Sequence, residues 1–355
     1  MPLRDAFDAP APLTVGLEEE AMLLDPVSLD LAPVAAEVLA RTDAVKLELP
    51  ASQLEIATRP AATVGEAIEQ LAAGRRALAE ASHGIALPAV AGVHPFAAPL
   101  GVLNAGERYD AILAEYGDIA RAQLVCGLQV HVAVGDADGT LAVYNALRGH
   151  LPELAALAAN APFHAGRDTG LASVRPLISG LLPRQGVPPA IASWEDFAGM
   201  LRGVPEPRRW WWELRPHPEF GTLELRVPDA QTTLADAAAV AAFAHALVAW
   251  LAQRHAAGEP LPTAASWRIA ENRWTALREG LDGAFADLDG GTRTPVRDVL
   301  RRRLEQLAPA ARAVGCEAEL ASAERLVDAN GAIRQRGVAG GPREVARRLA
   351  DSYLA

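Results

Sequence analysis

Two short strand-like segments, 46–49 and 53–58, are separated only by Pro50, Ala51 and Ser52. Parallel strands need a crossover of about a dozen residues, so segments this close pair only as antiparallel neighbours. Further alternating segments lie at 13–24, 127–134 and 222–228. Ala/Leu-rich stretches with helical spacing run near 63–82, 106–124, 141–159, 232–256, 295–313 and 342–354. The first of these has a start signal, Thr63 followed three residues later by Glu66. Gly/Pro-rich loops fall at 88–104, 164–190 and 203–221. There is no internal repeat and no linker long enough to separate two domains. The pattern predicts an α+β fold: a largely antiparallel sheet, helices on one face and an open site on the other. It is expected as a single domain over 13–355 behind an N-terminal tail, 1–12.

Half of the 355 residues are apolar, enough for a sizeable core. No apolar run is expected to reach the roughly 20 residues that span a bilayer. The start, "MPLRDAFDAPAPL", has no basic region followed by an apolar one, so no secretory signal is expected. Two cysteines far apart, Cys126 and Cys316, suit a reducing cytoplasm better than a disulfide framework. A formal charge of −11 argues against nucleic acid or an anionic membrane as the main partner. Small anions can still be held by local arginines or a metal.

Alternation along the strands separates two faces. Leu128, Val130, Val132 and Val134 oppose Gln129 and His131. Leu223, Leu225 and Val227 oppose Thr222, Glu224 and Arg226. Leu54 and Ile56 oppose Gln53 and Glu55, and in "GLEEE" Glu18 and Glu20 share a face that Glu19 does not. Each polar face alone is compatible with simple solvation. Together they hold glutamates, one histidine and one arginine with no lysine, a donor set that suits Mg²⁺ or Mn²⁺. No thiolate set or HExxH helix points to zinc. Glu48 and Glu55 lie seven apart across the tight turn, where a hairpin can aim both at one ion; Glu48 can equally be an exposed strand end.

"VGLEEEAMLLD", "LEIATRPAATVGEA", "CGLQVHVAVGD", "GRDTGLAS", "GTLELRVPDAQ" and "ENRWTALREGLDG" occur in this order. Together they resemble the carboxylate–amine ligase family, also called the type 2 glutamate–cysteine ligase family, over nearly the whole chain. The resemblance implies a glutamine-synthetase-like fold, a curved antiparallel sheet with helices on the convex face and the site on the concave face. It implies ATP- and Mg²⁺-dependent amide formation through an acyl phosphate, with glutamate and cysteine as acid and amine. Other acids or amines, or a nucleotide- or amino-acid-binding sensor without turnover, stay open, and a homodimer is expected. By position, Glu18, Glu20, Glu48, Glu55, His131 and Glu224 become metal ligands. Glu55 and Arg226 become catalytic, the arginine gripping phosphate or a substrate carboxylate as a lysine cannot. Arg167, Asp168, Asn272 and Arg273 become binding residues beside Arg226, although a turn with a local salt bridge explains Arg167 and Asp168 as well. Arg215 braces its loop or meets an anion. Trp274 and the "WWWEL" tryptophans are expected to pack, Cys126 to be a small buried apolar residue, and His94 and His164 to be surface or packing residues. The chain departs from the family at Gln129, where members often carry a second histidine.

Overall fold

The computed structural model describes residues 3–203 and 209–355. Its centre is a seven-stranded open sheet: β1 (Val15–Leu24), β2 (Lys46–Leu47), β3 (Gln53–Ala57), β4 (Leu87–Ala89), β5 (Leu128–Val132), β8 (Leu214–His217) and β9 (Thr222–Leu225). The order is β2-β3-β1-β5-β9-β8, with β4 also on β1, and every pairing is antiparallel. Two small hairpins lie outside it, β6 (Phe163–His164) with β7 (Arg167–Asp168), and β10 (Ala284–Ala286) with β11 (Arg293–Pro295). The β2–β3 pairing sets Lys46 opposite Glu55, the hairpin that the short Pro-Ala-Ser join requires.

Helices cover the apolar face of the sheet. Thr63 caps the helix Val64–Ala81 by accepting from the Glu66 amide at 3.2 Å, and Glu66 reaches back to the Ala62 amide at 3.0 Å. This helix lies so close to β3 that a Cβ on Gly74 would stand 2.4 Å from Ile56. The helix Leu234–Ala256 runs through the core, touching β5 and the helices Val64–Ala81, Ala137–Leu147 and Val296–Ala313. Its small alanines allow this close packing on several sides. Contrary to the expectation from sequence, this 23-residue helix is long and apolar enough to cross a membrane, but 83% of its apolar window is buried inside the protein.

Other differences have local causes. The segment 106–124 is two helices, Glu107–Tyr116 and Asp118–Arg121, broken where Gly117 takes φ 56°. The segment 141–159 is likewise interrupted by a 3₁₀ turn at Arg148–His150. The expected loop 203–221 contains β8, whose Pro216 is tolerated because the strand is at the sheet edge; its residues 204–208 lie outside those described. Helices Trp194–Arg202 and Ser266–Arg278 were not expected at all. The described part of the N-terminal tail packs down: Phe7 is fully buried with its ring 4.7 Å from that of Trp194.

His94 is a packing residue and a titratable one. Its Nε2 lies 2.9 Å from the Leu29 carbonyl, and its Nδ1 accepts from the Ala97 amide at 2.9 Å. Burial pushes the imidazole down to about 4. The unfolded chain therefore takes up this proton near pH 6.5 while the folded protein resists until about 4. Stability from His94 is complete above that window and is lost as pH falls through it, by ~3 kcal/mol in all. Denaturant midpoints at pH 7 and pH 4.5 check this: His94→Gln should lose less between the two than the parent. Equal losses would remove His94 from the acid response.

Candidate active site

The β1 register decides which glutamates meet. Glu18 lies opposite Gln129 and Glu20 opposite Glu55, while Gly16 lies opposite His131. On this face Glu18, His131 and Glu224 each offer a donor atom within 4.8 Å of the others. His131 Nδ1 is tied to the Thr222 hydroxyl at 3.0 Å. Its buried Nε2 has no hydrogen-bond partner and lies 3.7 Å from Glu18 Oε2. Burial pushes the Glu18 carboxyl up, but the His131 ring outweighs it and holds the group below the usual range. The Glu224 carboxyl is also opposed by burial, yet Arg226 and Arg215 hold it well down. Arg215 grips it with Nε and a terminal nitrogen, and Arg226 bonds both Glu224 and Gln129.

A second acidic group lies beside the first. Burial raises Glu48, and the charges of Glu20 and Glu55 raise it further, well above the ordinary range. Glu55 is raised by burial and by Glu18, although Lys46 lies 3.4 Å away. Glu20 is raised by burial and Glu55, while it accepts from the Gly127 amide at 2.6 Å and the Gln129 amide at 3.2 Å. Buried carboxylates that raise one another are destabilising unless a cation offsets them. The donor set therefore fits one or more hard divalent cations. Glu20, Glu48 and Glu55 are the freer set, because Glu224 is already neutralised by two arginines.

Gln129 joins the two groups. Its amide donates to Glu20 and accepts from Arg226, the only orientation that satisfies both partners. A protonated imidazole would have no lone pair for the arginine.

A cavity of about 350 Å³ adjoins the second group, and Glu18, Glu55, His131 and Glu224 are not among the described residues that line it. Glu20, Glu48 and Arg226 line it, as do Gln53, Arg175 and Glu213, which sequence reasoning did not single out as site residues. Arg175 donates to the carbonyls of Val227 and Arg226 and lies 3.7 Å from buried Asp229. It follows the "GRDTGLAS" string by two residues, so only that proximity hinted at it. Glu213 belongs to the "WWWEL" run and pairs with Arg273, whose Nε lies 3.0 and 2.9 Å from its two oxygens. Arg273 thus reaches the cavity through Glu213.

Other expected binding residues are placed elsewhere. Asp168 accepts two bonds from Arg336, at 2.8 and 2.7 Å, and Arg167 is exposed on the same small hairpin. Asn272 spends both ends of its amide on the backbone of Ala286. None of these three is among the described residues lining the cavity. Trp274 is 47% exposed, on the face opposite the buried Ile269, Asn272, Arg273 and Ala276 of its helix. Trp210 packs on Phe197, whereas Trp211 faces the cavity. Arg215 does brace its loop, donating to the Trp210 carbonyl at 2.7 Å, while also holding Glu224. Cys126 is fully buried and its thiol is pushed well up by burial. His164 is partly buried.

A family model described as glutamate-cysteine ligase family 2 matches residues 14–341. The chain belongs to this family. A Rubrobacter xylanophilus member named "Putative glutamate--cysteine ligase 2-3" is 41% identical, covering 98% of both chains. A Rhodospirillum rubrum member named "Putative glutamate--cysteine ligase 2" is 35% identical over 88% of this chain and 85% of its own. Among solved structures, a Francisella tularensis glutamate–cysteine ligase in complex with AMP matches with a TM-score of 0.68 and 11% identity, covering 96% of this chain and 89% of that one. A bifunctional glutathione synthetase from Pasteurella multocida gives 0.71 and 15%, covering 96% and 52%. At such identities these two report a shared fold, an open sheet mixed with helices. Membership of glutamate–cysteine ligase family 2 makes the chain a carbon–nitrogen ligase that works on small amino-acid substrates.

Proposed function

We propose that this family member uses ATP and Mg²⁺, with Mn²⁺ as a substitute, to join the γ-carboxyl of glutamate to the amine of cysteine or a similar amino acid. The observation that carries the reading is the pair of acidic groups sharing one sheet face with Arg226 and a cavity. A carboxylate is a poor electrophile, so it first attacks the γ-phosphorus of ATP, giving an acyl phosphate and ADP. The amine nitrogen then attacks the acyl carbon, the C–O bond to phosphate breaks, and the nitrogen loses a proton. The first step brings an anion to an anion, and its demand is charge neutralisation and alignment. Arg226, held flat by Gln129 and Glu224, presents a fixed guanidinium to one of those anions. Glu18, Glu20, Glu48, Glu55, His131 and Glu224 are the residues that would hold Mg²⁺, which supplies positive charge to the phosphates when bound. Glu48 and Glu55 are held in proximity by the β2–β3 hairpin, and Arg175 offsets the charge of Glu20. The AMP in the Francisella structure supports nucleotide binding on this fold.

An acid-by-amine panel scored by ADP release, with mass detection of product, tests the reading. ADP release that requires both partners is expected, greatest with glutamate and an α-amino acid. ATP binding without ADP release across the panel would overturn it in favour of a sensor. The proposal extends to a single catalytic domain, supported by a main hydrophobic cluster that draws on residues from Phe7 to Tyr353. It also places the protein in a reducing cytoplasm, consistent with two buried free cysteines, as a homodimer that light scattering would reveal.

A further inference from the structure

Two hydrogen-bond donors in the cavity have no described partner. Gln53 is 2% exposed, yet its side-chain amide nitrogen bonds nothing. A donor left unmade at such a depth costs about 1–3 kcal/mol. Arg108 also lines the cavity, with its guanidinium carbon 5.8 Å from the centre of the Tyr109 ring and its charge felt by Glu48, and no described hydrogen bond occupies its donors. The other arginines of the lining are engaged: Arg175 by backbone carbonyls, Arg209 by Glu115, and Arg226 by Glu224 and Gln129.

Arg108 stands on a helix that is bounded by glycines and held at the cavity rim. Glu107–Tyr116 buries none of its residues, and Gly106 at φ 131° and Gly117 at φ 56° bound it. Glycines in such conformations absorb backbone rotation that other residues resist. The helix rests on the cavity rim through Tyr109, whose hydroxyl donates to the Leu47 carbonyl at 3.3 Å, and through Glu115 with Arg209. Gln53, by contrast, is fixed in β3 opposite Met22.

We propose that Gln53 and Arg108 form a carboxylate clamp, one jaw fixed in the sheet and one carried on the glycine-bounded helix, that selects substrates bearing a free α-carboxylate. This rests on the ligase reading above and narrows its substrate class. A planar two-oxygen anion matches an arginine fork and a neutral amide donor. Glu20, Glu48 and Glu213 face the same space. With Glu20 and Glu48 taken up by Mg²⁺, the carboxylate of Glu213 is left to face the ammonium group that an α-amino acid carries next to its carboxylate.

Both acid and amine of the proposed reaction carry an α-carboxylate, so two pairs of probes separate the sources. Glutamate is compared with 4-aminobutyrate, and cysteine with cysteamine, by calorimetric titration of the full-length protein in Mg²⁺ and ADP. The parent should favour the carboxylate-bearing member of one pair by about 10- to 100-fold, as for a charge-assisted hydrogen bond. Arg108→Ala should bring that ratio close to one, Arg108→Lys should recover part of it, and Gln53→Leu should lower it too. Arg108 is exposed on a helix with no buried residues, so its variants should melt with the parent. A ratio near one in the parent, or a ratio unmoved in Arg108→Ala, would overturn the clamp. Binding is read here without turnover, so absence of ADP release in the panel above would count against the ligase reading alone.

Discussion

Glu19→Ala should destabilise the folded protein by about 3–5 kcal/mol, the penalty for leaving a buried charge without its partner. Glu19 and Arg75 are both fully buried, with two hydrogen bonds between them at 2.7 and 2.6 Å. Burial works against the Arg75 charge, and Glu19 more than compensates. The remaining donors of Arg75 hold the carbonyls of Gln231, Thr232 and Tyr353, so the pair ties β1 to the entry of the helix Leu234–Ala256 and to the end of the chain. Denaturant unfolding of Glu19→Ala, Arg75→Leu and the double variant would measure the coupling, and the double variant should lose less than the two single losses summed. Glu18→Ala should behave in the opposite way, folding normally while losing turnover. A Glu19→Ala loss below about 1 kcal/mol, or normal turnover in Glu18→Ala, would break the division between the two faces of β1.

Glu55→Gln and Glu48→Gln should each lower amine-dependent ADP release by at least about 100-fold, the scale for removing a charged group from a preorganised site. The same substitutions should raise the melting temperature measured without divalent cation. The reason is the sign of the carboxyl shifts. Both groups are raised by burial and by neighbouring carboxylates, so the fold prefers them protonated. Their contribution is complete below the ordinary glutamate range and is lost as pH rises through the raised folded values. A neutral amide removes that loss. Mg²⁺ should stabilise the parent by mass action and stabilise Glu48→Gln less. Full activity in Glu55→Gln, or equal Mg²⁺ stabilisation of parent and Glu48→Gln, would remove this acidic group from the metal site. A variant that is more stable and less active is the expected mark of a site that holds like charges together.

Much of this was legible in one dimension because strand alternation is local. The period of two separated Glu18 and Glu20 from Glu19, His131 from Val130 and Val132, and Glu224 and Arg226 from Leu225, and the sheet keeps every one of those separations. The short join between β2 and β3 required antiparallel pairing before any contact was known. Tryptophans and arginines were harder to read. Trp274 and Trp210 are similar in sequence terms, yet one lies on the outer face of a helix and the other against Phe197. Asp168 and Glu213 are both acidic residues in loop-like segments, and only the approach of Arg336 to one and the cavity to the other distinguishes them.

Sequence alone determined the antiparallel sheet and its polar face, because backbone periodicity and short connections act between near neighbours, and the six ordered motif strings carried the resemblance to the family. Only the tertiary structure decided what those charges meet. Arg75 finds Glu19 from 56 residues away, Gln129 joins Glu20 to Arg226, and Arg108 reaches the cavity on a glycine-bounded helix. Partners so distant along the chain are chosen by how helices pack on the sheet, and no local pattern records that packing.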